Sequence, residues 1–134
     1  MSRSLNAFLN PIKMENQMVV ISKRFLEEGK PVEWELKPIT SEENDVLLKK
    51  YLKKDKKGNE SFDRLAYQNA LMAEAVVYPD LLNAELQKAY GVIGAEALLG
   101  KMLTVGESTL LAQEVKRISG LDDDSTDLVE EVKN

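Results

Sequence analysis

Several groups of residues in this chain have the types and spacing that chemistry needs. Lys49, Lys50, Lys53, Lys54, Lys56 and Lys57 form the most basic stretch, and clustered lysines can hold phosphate. Asp122, Asp123, Asp124 and Asp127 offer oxygen ligands in the manner of a calcium loop. Gly91-Val92-Ile93-Gly94 has glycines spaced like a phosphate-cradling turn. Glu85, Glu96 and Glu107 are carboxylates that could serve as an acid–base pair. Each signal is incomplete. The lysines lack interleaved arginines and aromatics beyond Tyr51, and the chain carries a net charge of −5, so a solvated helix end that complements the helix dipole fits them better than nucleic acid. The aspartates lack the glycine of the sharp turn and the bidentate glutamate. The glycines lack a preceding strand and a lysine–serine pair. The glutamates fall on separate helix faces beside polar neighbours, the ordinary place for a carboxylate.

The chain has no histidine and no cysteine. That removes Ser-His-Asp and Cys-His sites, thiolate metal sites and disulfides. A helix-turn-helix reading of residues 71–99 also fails, because its second helix, 83–90, carries one lysine and no arginine for phosphates or guanine edges. The expectation is a protein that is not an enzyme and takes no cofactor, metal or nucleic acid.

The elements that would position these residues come next. At 134 residues the chain is one domain, long enough to bury a core without staples. Its opening stretch is too short and too interrupted, by Asn6, Asn10 and Pro11, for a signal peptide. Nothing approaches the ~18 apolar residues of a membrane span. The cytoplasm is therefore the expected location, with no membrane partner. Residues 1–16 read as an N-terminal arm with Leu5, Phe8, Leu9 and Ile12 as apolar handles. Residues 17–39 read as a β-hairpin. Met18 to Ile21 are β-prone, and Val32, Trp34 and Leu36 alternate with Glu33, Glu35 and Lys37, the pattern of a half-buried strand.

Helices are expected over 41–119. Thr40 and Glu43 match a capping box ahead of a stripe of Val46, Leu47 and Tyr51. Lys53 to Asn59 read as a loop. Ser61 opens a second helix with Phe62, Leu65, Ala66, Ala70, Ala73 and Val77 on one face, stopped at Tyr78-Pro79. A short helix spans 83–90, with Gly91 as its stop. The next follows Gly94 with Ala97, Leu98, Met102 and Leu103. The last runs from Glu107 to about Ser119 with Leu110, Leu111, Val115 and Ile118 inward, closed by Gly120. Residues 121–134 hold six acids and one lysine, −6 + 1 = −5, and are expected to be a disordered acidic tail. The expected fold is α+β: a mostly helical single domain (17–120) with a small N-terminal β-hairpin.

The stretch Tyr78 to Leu103 joins a turn, two short amphipathic runs and a glycine stop, with no group suited to catalysis. Such segments pack and bind. This stretch also carries part of a family resemblance. The pieces are Ser4-Leu5-Asn6-Ala7-Phe8-Leu9-Asn10-Pro11, Ser22-Lys23-Arg24-Phe25, the tryptophan strand ending Lys37-Pro38-Ile39-Thr40, and Glu42-Glu43-Asn44. Tyr78-Pro79-Asp80-Leu81, Ala95-Glu96-Ala97-Leu98-Leu99, Met102-Leu103 and Gly106-Glu107 complete it. In this order the chain resembles the XkdN-like tail assembly chaperones of PBSX-like prophages and related phages. The resemblance covers about residues 4–119 and leaves the acidic tail outside.

The resemblance implies a non-catalytic protein of the bacterial host cytoplasm that binds the tail tape measure protein, keeps it soluble during tail assembly and is absent from the mature virion. It also implies a frameshift-extended form of the chain that recruits tail tube protein. Self-association is expected on physical grounds, because one small domain cannot cover a helical tape that rises ~1.5 Å per residue over several hundred residues. Leu5, Phe8 and Leu9 of the arm are the expected neighbour contacts. Tyr78, Leu81, Leu82, Leu86, Tyr90, Leu98, Leu99 and Met102 are the expected tape contacts. The alternative is a tail-completion or connector protein built into the virion.

Overall fold

The computed structural model describes residues 3–121. Helix α1 (Asn6–Leu9) precedes four short strands: β1 (Gln17–Val19), β2 (Leu26–Glu27), β3 (Lys30–Pro31) and β4 (Trp34–Leu36). Then come α2 (Ser41–Tyr51), β5 (Leu52–Lys54), β6 (Glu60–Phe62), α3 (Arg64–Ala75) and β7 (Val76–Tyr78). The helices α4 (Ala84–Ala89), α5 (Ala95–Met102) and α6 (Val105–Ile118) follow.

The expected mostly helical domain with one N-terminal hairpin is corrected by this architecture. Six helices and seven strands in three small sheets make an α+β fold in which 46% of the described residues are helical and 16% lie in strands. The main sheet has the order β1-β4-β7, all antiparallel, so the tryptophan strand is its centre. The third strand comes from the far end of α3. Val76 and Val77 are β-branched, and Tyr78 precedes a proline, so all three favour extended backbone. Leu36 pairs with Val76 and Glu35 with Tyr78, and the Lys37 amide donates to the Ala75 carbonyl at 2.8 Å. Val77, expected on the helical stripe, is an exposed strand residue.

The other two sheets are ribbons. In β2–β3, Glu28 and Gly29 both have positive φ, 52° and 79°, the backbone of a tight hairpin turn that matches strand twist. In β5–β6, the expected lysine loop is a hairpin with Lys53 opposite Ser61 and Lys54 opposite Glu60. Its turn is built by Asp55, whose Oδ1 accepts from the amides of Lys57 (2.9 Å) and Asn59 (2.8 Å). Phe62 therefore belongs to β6, and Asp63, not Ser61, caps α3 by accepting from the Ala66 amide at 3.1 Å.

The core lies between the main sheet and α3, α5 and α6. Trp34 and Leu36 are fully buried there, with Leu98, Leu111, Val115 and Ile118. Helix α3 is the hub, packed on α2, α5 and α6. Its buried residues are Ala70, Met72 and Ala75, while Leu65 is exposed, as are Val46 on α2 and Ala97 on α5.

Candidate partner-binding surface

The segment from Tyr78 to Leu103 is held by its own side chains. Leu81 plugs into the core. Asp80 Oδ1 accepts from the Leu82 amide (3.0 Å), and Asn83 Oδ1 caps α4 through the Leu86 amide (2.9 Å). Gln87 ties the two ends together: Nε2 donates to the Leu81 carbonyl at 2.8 Å, and Oε1 accepts from the Gly94 amide at 3.1 Å. Gly91 (φ 68°) ends α4 and Gly94 (φ 105°) precedes α5, so this glycine pair is helix punctuation. Tyr78, Asp80, Asn83, Glu85, Leu86 and Ala89 line an open groove of about 440 Å³.

The expected contact residues divide by burial. Leu81, Leu98, Leu99 and Met102 belong to the core of the domain itself. Leu86 and Tyr90 are half-buried against that core. Tyr78 is exposed and Leu82 more so, at 77%. On the arm, Leu5, Phe8 and Leu9 are all exposed, Phe8 at 80%. The structure thus brings Tyr78 and Leu86 together in one groove, and leaves the arm residues exposed, as it does Ile12 and Met14. Sequence reasoning passed over Ile93 and Val105, exposed at 95% and 86%. Their signal was available: Ile93 sits between two helix-stopping glycines, and Val105 directly follows a capping threonine.

Two clusters of charged groups, around Glu107 and around Lys37, hold parts of the domain together. The Glu107 carboxylate accepts from Ser22 Oγ (2.5 Å), from Arg24 Nε (3.1 Å) and Nη2 (2.6 Å), and from the Thr104 amide (2.9 Å). Arg24 also donates to the Met102 carbonyl at 2.7 Å. The Arg24 guanidinium, with Ser22 and the Thr104 amide behind it, holds Glu107 far below the usual carboxylate range. Glu107 is thus a fixed anion, not a proton carrier. In the connection from β4 to α2, Lys37 Nζ donates to Glu43 (2.6 Å) and Glu74 (3.0 Å). Lys37 and the Thr40 amide push Glu43 down to about 2. Tyr67 Oη donates to Asn44 Oδ1, joining α3 to α2.

Glu85 and Glu96 are exposed on α4 and α5. Among the described residues no cluster of three or more acidic, histidine or cysteine side chains is arranged to hold a metal. Residues 122–134 of the expected acidic tail, with Asp122 to Asp127, lie outside the described residues. No described helix is long and apolar enough to cross a membrane.

The matches with known proteins fit this geometry. The model of the phage XkdN-like tail assembly chaperone family matches residues 5–133. The match reaches into the acidic segment, which sequence reading had placed outside the pattern. The chain is 33% identical over 129 residues to the phage-like element PBSX protein XkdN of Bacillus subtilis strain 168, across 92% of this chain and 87% of that one. Its fold matches the crystal structure of the protein YqbN with a TM-score of 0.75 and 27% identity, over 91% of this chain and 98% of that one. Two sets of resemblance pieces meet in space in this chain, Ser22 and Arg24 with Glu107, and Lys37 with Glu43, and they form ion-paired joints of its fold. The chain belongs to the XkdN-like family of phage tail assembly chaperones.

Proposed function

We propose that this chain is a non-catalytic chaperone that binds the tail tape measure protein in the host cytoplasm and keeps it soluble until the tube assembles around it. The observation that carries the reading is the set of large apolar side chains left outside a completed core: Leu5, Phe8 and Leu9 on the arm, and Tyr78 and Leu82 beside the groove. A long amphipathic helix rises ~1.5 Å per residue, so a chain of several hundred residues presents an apolar stripe hundreds of Å long. Exposed stripes of that size aggregate. One small domain cannot cover such a stripe, so many copies line up along it, with arm contacts between neighbours.

Burying ~800 Å² per copy contributes up to ~20 kcal/mol before costs. Lost translational freedom and side-chain ordering cancel most of that. Weak single contacts in large number suit a cover that tube protein later displaces. A frameshift-extended form of the chain would bring the tube protein to the same array. Co-expression with a tail tape measure protein tests the reading. The tape moves to the soluble fraction with the chaperone bound, and finished tails contain none of it. A tape that stays insoluble, or stoichiometric chain in finished tails as a connector protein requires, overturns it.

A further inference from the structure

We propose that, before any tape is bound, the N-terminal arm of a second copy seats in the groove on α4, and that two copies cover each other in this way. The inference rests on the reading of this groove as a tape contact and adds what fills it beforehand. Leu5, Phe8 and Leu9 have the i, i+3, i+4 spacing that puts side chains on one helix face, around the single turn of α1. All three are exposed, as are Ile12 at 95% and Met14 at 67%. Arg3 and Lys13 stand at the two ends of the run from Leu5 to Ile12, with no acid between them. Both are exposed, and among the described residues neither is ion-paired.

The groove has the complementary make-up. Tyr78, Leu86 and Ala89 are its apolar lining, and Asp80 and Glu85 are its charged lining, with no cation among the lining residues. Among the described residues neither acid is ion-paired. An apolar turn flanked by cations therefore meets an apolar groove lined by acids. No residue of the chain's own arm lines the groove. Asn16 Nδ2 donates to Glu35 Oε2 at 2.8 Å, and Lys13 and Met14 line a cavity with Pro38, Thr40 and Ser119, so the arm leaves past the end of α6. Strand β1, which follows the arm, and β7, which leads to the groove, are the two outer strands of the main sheet.

Area argues for a mutual exchange. The five arm side chains remove about 400 Å² from water when seated, at ~60–120 Å² apiece. With the lining they cover, one arm gives about 800 Å² in total, the level of a crystal contact, and two arms give about 1,600 Å², the size of a stable interface. A two-fold pair supplies the second arm with no further residue, because the same arm and groove meet twice.

The chain has no cysteine, so thiols placed singly report the seat. Ala7→Cys beside Phe8 and Ala89→Cys in the groove both replace exposed residues. The two full-length variants are mixed without tape and treated with a short bismaleimide. Arm-to-groove dimers are expected about tenfold more often than from Ala7→Cys mixed with Lys57→Cys or Lys101→Cys, because a seat raises the local concentration of one thiol at the other. Asp80→Asn/Glu85→Lys in both copies lowers the yield about fivefold, exposed ion pairs being lost at each of two seats. The Asn keeps the acceptor for the Leu82 amide, so the turn into α4 is preserved. Adding Arg3→Glu/Lys13→Glu to that background brings the yield back. Equal yields at the control positions, or a yield that charge reversal does not move, overturn the proposal. So does an Ala7→Cys/Ala89→Cys chain that links only to itself, since each arm would then cover its own groove. The cross-links form without tape, so their absence overturns the seat alone, and an insoluble tape overturns the chaperone reading alone.

Discussion

Glu107 and Glu43 show how single residues set the pH limits of this fold. Both carboxylates are held below their free value of 4.5, Glu107 by Arg24, Ser22 and Thr104, Glu43 mainly by Lys37. A depressed folded-state value means the unfolded chain binds protons more readily as pH falls. Their contribution is therefore fully present above about pH 4.5 and is lost as pH drops toward 2 for Glu43 and lower still for Glu107. Urea midpoints are expected to hold steady near neutrality and fall between about pH 4.5 and 2. Glu43→Gln and Glu107→Gln should be less stable at neutral pH and show a flatter acid limb. An unchanged acid limb in both variants would show that these joints are not what acid breaks. Trp34 is the other residue to test, at 1% exposure in the central strand. Trp34→Ala is expected to cost ~3–5 kcal/mol, a large share of a typical domain's total, measured by denaturant unfolding.

At the scale of elements, what was legible in the sequence was whatever the local chain decides. The alternation of Val32, Trp34 and Leu36 marked β4, and the buried pair is Trp34 and Leu36. Thr40 and Glu43 form the expected capping box, and Gly91 and Gly120 stop α4 and α6 with positive φ. A second box, Thr104 with Glu107, obeys the same rule and starts α6 two residues earlier than the apolar stripe suggested. Thr104→Ala is expected to lower stability by ~1 kcal/mol with Thr104→Ser close to wild type, read from thermal midpoints.

Long-range pairing was not legible. Val76-Val77-Tyr78 continues the apolar spacing of α3, and its local preference for extended backbone becomes a strand through pairing with β4, some forty positions earlier. The lysine hairpin looked like a loop because its charges hide the pairing of Leu52 with Phe62. For the candidate surface, an apolar face reads alike whether it meets its own core or another chain. Leu81, Leu98, Leu99 and Met102 meet the core, while Tyr78 and Leu82 do not.

For the whole molecule, the division between inside and outside is the functional statement. The core closes on its own around the three-stranded sheet, and the joints at Glu107 and Lys37 lock the loops and helices that frame it. Among the described residues, apolar side chains remain outside on the arm, at Tyr78 and Leu82, and at Val46, Leu65, Ile93 and Val105, with a lysine patch elsewhere. A surface of this kind can be removed without harm to the fold, because Phe8 and Leu82 contribute little buried area. Phe8→Asp/Leu82→Asp should therefore unfold at the same denaturant concentration as wild type, surface changes being worth about 0.5 kcal/mol or less. The decisive measurement is the soluble fraction of the tape measure protein when it is co-expressed with each form at matched levels. Wild type is expected to carry most of the tape into solution and the folded double variant to leave it in the pellet; equal solubility with both would show that the tape is held by some other surface.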